Sequence, residues 1–159
     1  MQMAISSTAV LSLLVTVSAQ CLASEYQGDL ADVWGRASIV VWGCPQAVRT
    51  LDKDALDAER GTFTISVQRA YKGAKTGDTI EFVDPFFLSG AGLHIQEGMD
   101  YVVFLQTRAD RQKRPHPATE KLGEGLTGLC ALKANEATLP EVEAAIAAVA
   151  KYEALAPQD

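Results

Sequence analysis

Apolar and polar positions alternate most cleanly between Gly61 and Gly73, "GTFTISVQRAYKG". Phe63, Ile65 and Val67 share one parity, and Thr62, Thr64, Ser66 and Gln68 share the other. A two-residue period over this length predicts a half-buried strand. Tyr71 continues the inward parity past Arg69. "GAKTGD" (Gly73 to Asp78) is a tight connection, and "TIEFV" alternates again with Ile80 and Phe82 together, so the two runs predict a hairpin. In this reading Lys72 caps the exposed turn and Gly73 lets the chain bend.

Other stretches follow different patterns. Ala37 to Trp42 is apolar and β-branched, so it predicts a strand. "QAVRT" extends it past a bend near Gly43 and Pro45, where a small barrel turns a corner. "LDKDALDAERG" is a charged loop ending in Gly61, and Pro85, Gly90, Gly92 and Gly98 break the long stretch from Asp84 to Gly98. "MDYVVFLQT" is nearly continuously apolar, as for a strand covered on both faces or central in a closed barrel. A basic, Pro-containing loop runs from Arg108 to Pro117, and a short strand lies near Leu129 to Lys133. A helix is predicted over about 139–153. Thr138-x-x-Glu141 has capping-box spacing, Pro140 sits in the first turn, and Val142, Ile146 and Val149 form one apolar stripe. Five strands and one helix favour a mainly β fold, a small barrel or sandwich, over a parallel α/β sheet.

The amino-terminal 24 residues carry no charge and enclose an apolar stretch near Ala9 to Val17. That layout predicts a secretory signal peptide over residues 1–23, followed by a single domain over 24–159. Cleavage after Ala19 or after Ala23 is compatible with the small residues there. The apolar core is short for a membrane span, so no stable span is expected after cleavage. Lipidation of Cys21 is an alternative that Gln20 disfavours. The product is therefore expected to be secreted or periplasmic. Its net charge of −6 disfavours nucleic acid or an anionic membrane as partner.

Three cysteines are present: Cys21, Cys44 and Cys130. Cleavage after Ala23 leaves two, and an exported pair predicts a Cys44–Cys130 disulfide. Three pairings are open if Cys21 is retained, and two buried thiols are the alternative.

Catalytic patterns are missing. His94 and His116 both fall in loops, and no HExxH, CxxC or Gly-x-Ser-x-Gly occurs. "YKGAKTG" lacks P-loop spacing, and Asp78 follows where a phosphate would lie. Asp52, Asp54, Asp57 and Glu59 fail the calcium-loop spacing at Leu56. No catalytic residue, metal site or cofactor is expected. Candidate partner contacts are Phe86 and Phe87, adjacent in "PFFL", and Arg108, Arg111 and Arg114 in the basic loop.

Val67, Tyr71, Lys72 and Gly73 ("V-x-x-x-Y-K-G"), Gly98, Tyr101, Val103, Phe104 and Leu105 ("G-x-x-Y-x-V-F-L"), the late Cys130 and a helix from about Leu139 together resemble a known group. The chain is similar, over roughly Ala31 to Tyr152, to the netrin-like and tissue-inhibitor-of-metalloproteinase-like domains of bacterial exported type. The resemblance implies an OB-like five-stranded barrel with a carboxy-terminal helix. The animal inhibitors use an amino-terminal cysteine in a Cys-x-Cys context to reach zinc. Cys21 has no such neighbour, so metalloproteinase inhibition does not carry over. The expected function is an exported, non-enzymatic binding or interaction module with an unknown protein partner or small ligand in the envelope. A peptidase inhibitor and a hydrolase with an unrecognised site are the alternatives.

Overall fold

The computed structural model describes residues 30–48, 61–84, 92–113 and 125–155. The elements are α1 (Leu30–Arg36), β1 (Ile39–Gly43), β2 (Pro45–Ala47), β3 (Gly61–Ser66), β4 (Arg69–Lys72), β5 (Thr79–Asp84), β6 (Tyr101–Gln106), α2 (Arg108–Lys113), β7 (Leu126–Lys133) and α3 (Leu139–Leu155). The chain is mainly β with a carboxy-terminal helix, as the pattern predicts. The expected signal peptide lies outside the described residues.

The expected five-stranded closed barrel is not what the ladders form. They make a seven-stranded mixed open sheet in the order β2-β3-β5-β7-β6-β1-β4. The difference arises because two expected strands break in mid-course. The first breaks between Gly43 and Pro45: β1 pairs with β4 and β6, whereas β2 pairs with β3. A Cβ on Gly43 would lie 2.5 Å from the Ser66 carbonyl oxygen, so the crossing of these two segments requires glycine. The second break falls at Val67 and Gln68. Gly61–Ser66 stays in register with β5, but Arg69–Lys72 leaves to pair with β1.

That second break also corrects the placing of Tyr71. Phe63, Ile65 and Val67 share one core cluster, whereas Tyr71 packs against the cluster on the other face. Lys72 does not cap an exposed turn: its ammonium donates to the Trp34 carbonyl at 2.9 Å. The connection after it is a turn, as expected. Gly73 and Gly77 have φ of 68° and 93°, and the Asp78 carboxylate accepts the Lys75 N–H at 2.9 Å.

Both faces of the central strands are covered. On β1, Val40 and Trp42 join one cluster and Val41 the other; on β6, Val102 and Phe104 oppose Val103 and Leu105. This explains the nearly continuous apolar run of β6, all six residues of which are buried. One cluster packs under α1 and α3, whose Val33, Trp34, Val142, Ile146 and Val149 are buried in it. Burying side chains of this size stabilises by roughly 1.5–3 kcal/mol each. The opposite cluster is centred on Phe63 and Phe82, cross-strand partners with stacked rings 5.6 Å apart. The lead-in to α3 differs in detail from the expected capping box. The Thr138 hydroxyl accepts from the Asn135 N–H at 3.1 Å, while the Asn135 side-chain oxygen accepts from the N–H groups of Ala137 and Thr138.

The expected Cys44–Cys130 disulfide is not formed. Cys44 is a free thiol. Cys130 is disulfide-bonded, to a partner outside the described residues. The sheet register gives the reason. Gly43 stands opposite Tyr101, which stands opposite Lys133, two strands away and three residues beyond Cys130. Two strand spacings and three residues of rise separate the two sites by more than ~10 Å. Disulfide geometry requires Cα atoms within about 7 Å.

Candidate functional site

Three chain segments meet where α1 passes into β1. The first is Gly35–Ser38 at that joint, the second is the end of β4, and the third is the passage from β6 into α2. Their meeting depends on Gly73. Its positive φ suits glycine, and a Cβ there would lie 2.1 Å from the Ser38 carbonyl oxygen. The close approach brings Lys72 beside the carboxyl end of α1. Its ammonium sits 5.0 Å from the centre of the Trp34 ring as well as on the Trp34 carbonyl.

Thr107 and Asp110 stand three apart at the start of α2. The Asp110 N–H donates to the Thr107 hydroxyl at 3.3 Å, and that hydroxyl donates to the Asp110 carboxylate at 3.2 Å. Ser38 reaches into the same network from the joint just before β1. Its hydroxyl donates to the Asp110 carboxylate and accepts the Thr107 N–H at 3.0 Å. Lys113 closes the other carboxylate oxygen at 2.6 Å. These bonds, led by those from Lys113 and Ser38, hold the Asp110 carboxyl down at about 2.

The network forms one wall of a cavity of about 400 Å³. Among the described residues, Arg36, Lys72 and Lys113 supply three cationic side chains to its lining, and Asp110 supplies the one carboxylate. The lining therefore opposes the acidic balance of the whole chain. Gln106 forms part of it from the end of β6. Gln106 is 3% exposed, and its backbone carbonyl accepts from Arg111. Its side-chain amide receives no hydrogen bond from the described residues.

A second polar cluster lies over α3. The Arg69 guanidinium and the Tyr71 hydroxyl both donate to Glu143 Oε1 at 2.7 Å. Burial, then the bond to Glu143, pushes the Tyr71 phenol well above its ordinary range. The bonds from Arg69 and Tyr71 lower the Glu143 carboxyl. Nearby, the Trp42 ring N–H donates to the Ala134 carbonyl and the Trp34 ring N–H to Glu153.

The residues expected as partner contacts are not gathered here. Phe86, Phe87 and Arg114 lie outside the described residues, as does His116. Arg108 is exposed at the start of α2. Arg111 is a correction: it is 5% exposed and donates to the Gly125 carbonyl and the Thr127 hydroxyl at 2.7 and 2.6 Å. The run expected as a basic loop is helical over Arg108–Lys113, which turns Arg111 inward. His94 is exposed at φ 52°. Among the described residues no group of three His, Cys, Asp or Glu side chains could hold a metal ion, and no helix is long and apolar enough to cross a membrane. Ser38, Lys72, Gln106, Thr107 and Asp110 were not expected from sequence as a site. The one local signal was Thr107-x-x-Asp110, a capping-box spacing directly after a strand.

No protein-family model, curated protein or solved structure matches the chain.

Proposed function

We propose that this chain is an exported, non-enzymatic binding module of netrin-like type, with an OB-like fold. The observation that carries the reading is the chemistry around Ser38. This hydroxyl is the nucleophile candidate of the cleft, and its hydrogen-bond acceptor is a carboxyl held down at about 2. So weak a base does not activate a serine near neutral pH. What remains is a polar cavity built to hold a ligand.

The OB-like reading is supported by chain continuity. If β1–β2 and β3–β4 are each taken as one bent strand, five long strands remain, and the two sheet edges belong to strands already paired elsewhere. The parallel contact between β5 and β7 accompanies this order. Export is supported by the uncharged, apolar stretch near Ala9 to Val17, which has the layout of a secretory signal.

The test pairs capture with turnover. The purified full chain is expected to retain a partner or a small ligand from envelope extract, and to leave ester, peptide and phosphoester substrates intact. Turnover that disappears in Ser38→Ala would overturn the reading in favour of a hydrolase. Potent inhibition across a peptidase panel would replace it with an inhibitor.

A further inference from the structure

We infer that the cavity at the α1–β1 joint binds a small oxyanion, a carboxylate or phosphate group, held by the Gln106 side-chain amide and the Lys72 ammonium. This rests on the binding-module reading above and names the ligand chemistry of the same cleft.

Gln106 carries the argument. It occupies the last position of β6, on the parity of Val102 and Phe104, beneath the helices. It is 97% buried, being 3% exposed, yet it lines the cavity. No hydrogen bond from the described residues reaches its side-chain amide. The amide atoms are not sealed from solvent, since the cavity reaches them, and no side chain or backbone group among the described residues occupies them. Its N–H donors are thus available to something inside the cavity.

Lys72 supplies charge at the same place. Its neighbours are a backbone carbonyl and the face of Trp34, both neutral. Among the described residues it meets no carboxylate. The one carboxylate that the described residues give the lining, Asp110, is already occupied by Ser38, Thr107 and Lys113. The carbonyls at the carboxyl end of α1 would repel an anion, but two of them are spent on donors: Val33 on the Ala37 N–H and Trp34 on Lys72. An open amide donor beside an ammonium with no carboxylate partner favours an oxyanion over a cation or an apolar group. A volume of about 400 Å³ suits a small molecule or the charged end of a larger one.

The experiment is a nuclear magnetic resonance titration of the full chain, labelled with nitrogen-15, using inorganic phosphate and succinate in separate arms. Sodium chloride at matched ionic strength is the control. The Gln106 side-chain amide pair is expected to shift saturably in at least one arm. A response to phosphate alone assigns a phosphate group, and a response to succinate alone a carboxylate. Gln106→Leu, which keeps the volume and removes the amide, is expected to weaken binding tenfold or more. Lys72→Gln, at a half-buried position, removes the ammonium assigned to the oxyanion, so it provides the same check if the Gln106 variant fails to fold. Shifts no larger than those from chloride in both arms would overturn the inference, as would binding unchanged in these variants. A silent titration beside successful capture of an envelope partner would overturn this inference alone and leave the binding-module reading in place.

Discussion

Two carboxylates, Asp110 and Glu143, organise two polar clusters around the helix-covered core. Each draws in a hydroxyl-bearing residue from about 70 positions away: Ser38 is 72 residues from Asp110, and Tyr71 is 72 residues from Glu143. Each also gains a cation, Lys113 or Arg69. The difference lies in what is left over. At Glu143 both donors converge on one oxygen, and the cluster is a clasp between β4 and α3. At Asp110 the clasp forms one wall of a cavity, and Gln106 and Lys72 stand beside it with donors to spare. Similar groups thus serve as a fastening in one place and as one wall of a cavity in the other. Neighbouring geometry decides which, more than residue type does.

The largest expected effect comes from separating β4 from the α1–β1 joint. Gly73→Ala is expected to cost on the order of 3 kcal/mol, because a left-handed residue gains a Cβ and that Cβ meets the Ser38 carbonyl. Gly77→Ala is the control. Its φ is also positive but nothing lies within 4 Å, so about 1–2 kcal/mol is expected. Equal losses in urea unfolding would show that the close approach at Gly73 is unimportant.

Ser38→Ala removes a donor to Asp110 and an acceptor for the Thr107 N–H, and about 1–2 kcal/mol is expected in the same measurement. Tyr71→Phe removes a single bond at the clasp, so about 1 kcal/mol is expected. A larger loss for Tyr71→Phe than for Ser38→Ala would reverse the ranking of the two clusters.

The acid limb of stability offers a finer distinction. The Asp110 carboxyl is lowered from 3.8 to about 2. Its contribution is therefore present above about pH 4 and is lost as the pH falls through about 2. Unfolding curves of Asp110→Asn should be flatter than those of the parent across that window. An unchanged slope would show that the Asp110 bonds do not distinguish folded from unfolded chain. The smallest effect is expected from Arg69→Ala, whose guanidinium is more than half exposed. It should be visible at low salt and vanish in high salt.

Some of this was legible along the chain. β6 and α3 announce themselves because their patterns are strong and local: six consecutive residues that must all be buried, and a stripe at i, i+4 and i+7. The pairing of β3 with β5 follows from matched alternation, and its register seats Phe63 on Phe82. The split of the 61–73 run was not legible. Alternation continues through Val67, Arg69 and Tyr71 in sequence, while the bend at Gln68 sends Tyr71 to the opposite face. α1 was missed because it is two turns long and its helical period is barely established before it ends. The disulfide pairing was missed because sequence separation carries no register. The cavity could not be read at all. Its groups come from positions 36, 38, 72, 106, 110 and 113, and only the fold makes them neighbours.

One further consequence belongs to β6. It lies between β7 and β1 in the sheet order, and all six of its residues are buried. Its backbone amides therefore have no route to solvent through fraying of an edge. In deuterium oxide the amides of Val103 and Phe104 should be among the last to exchange. Their rate then serves as an internal clock for unfolding of the whole domain, against which any ligand of this chain can be weighed without knowing where it binds.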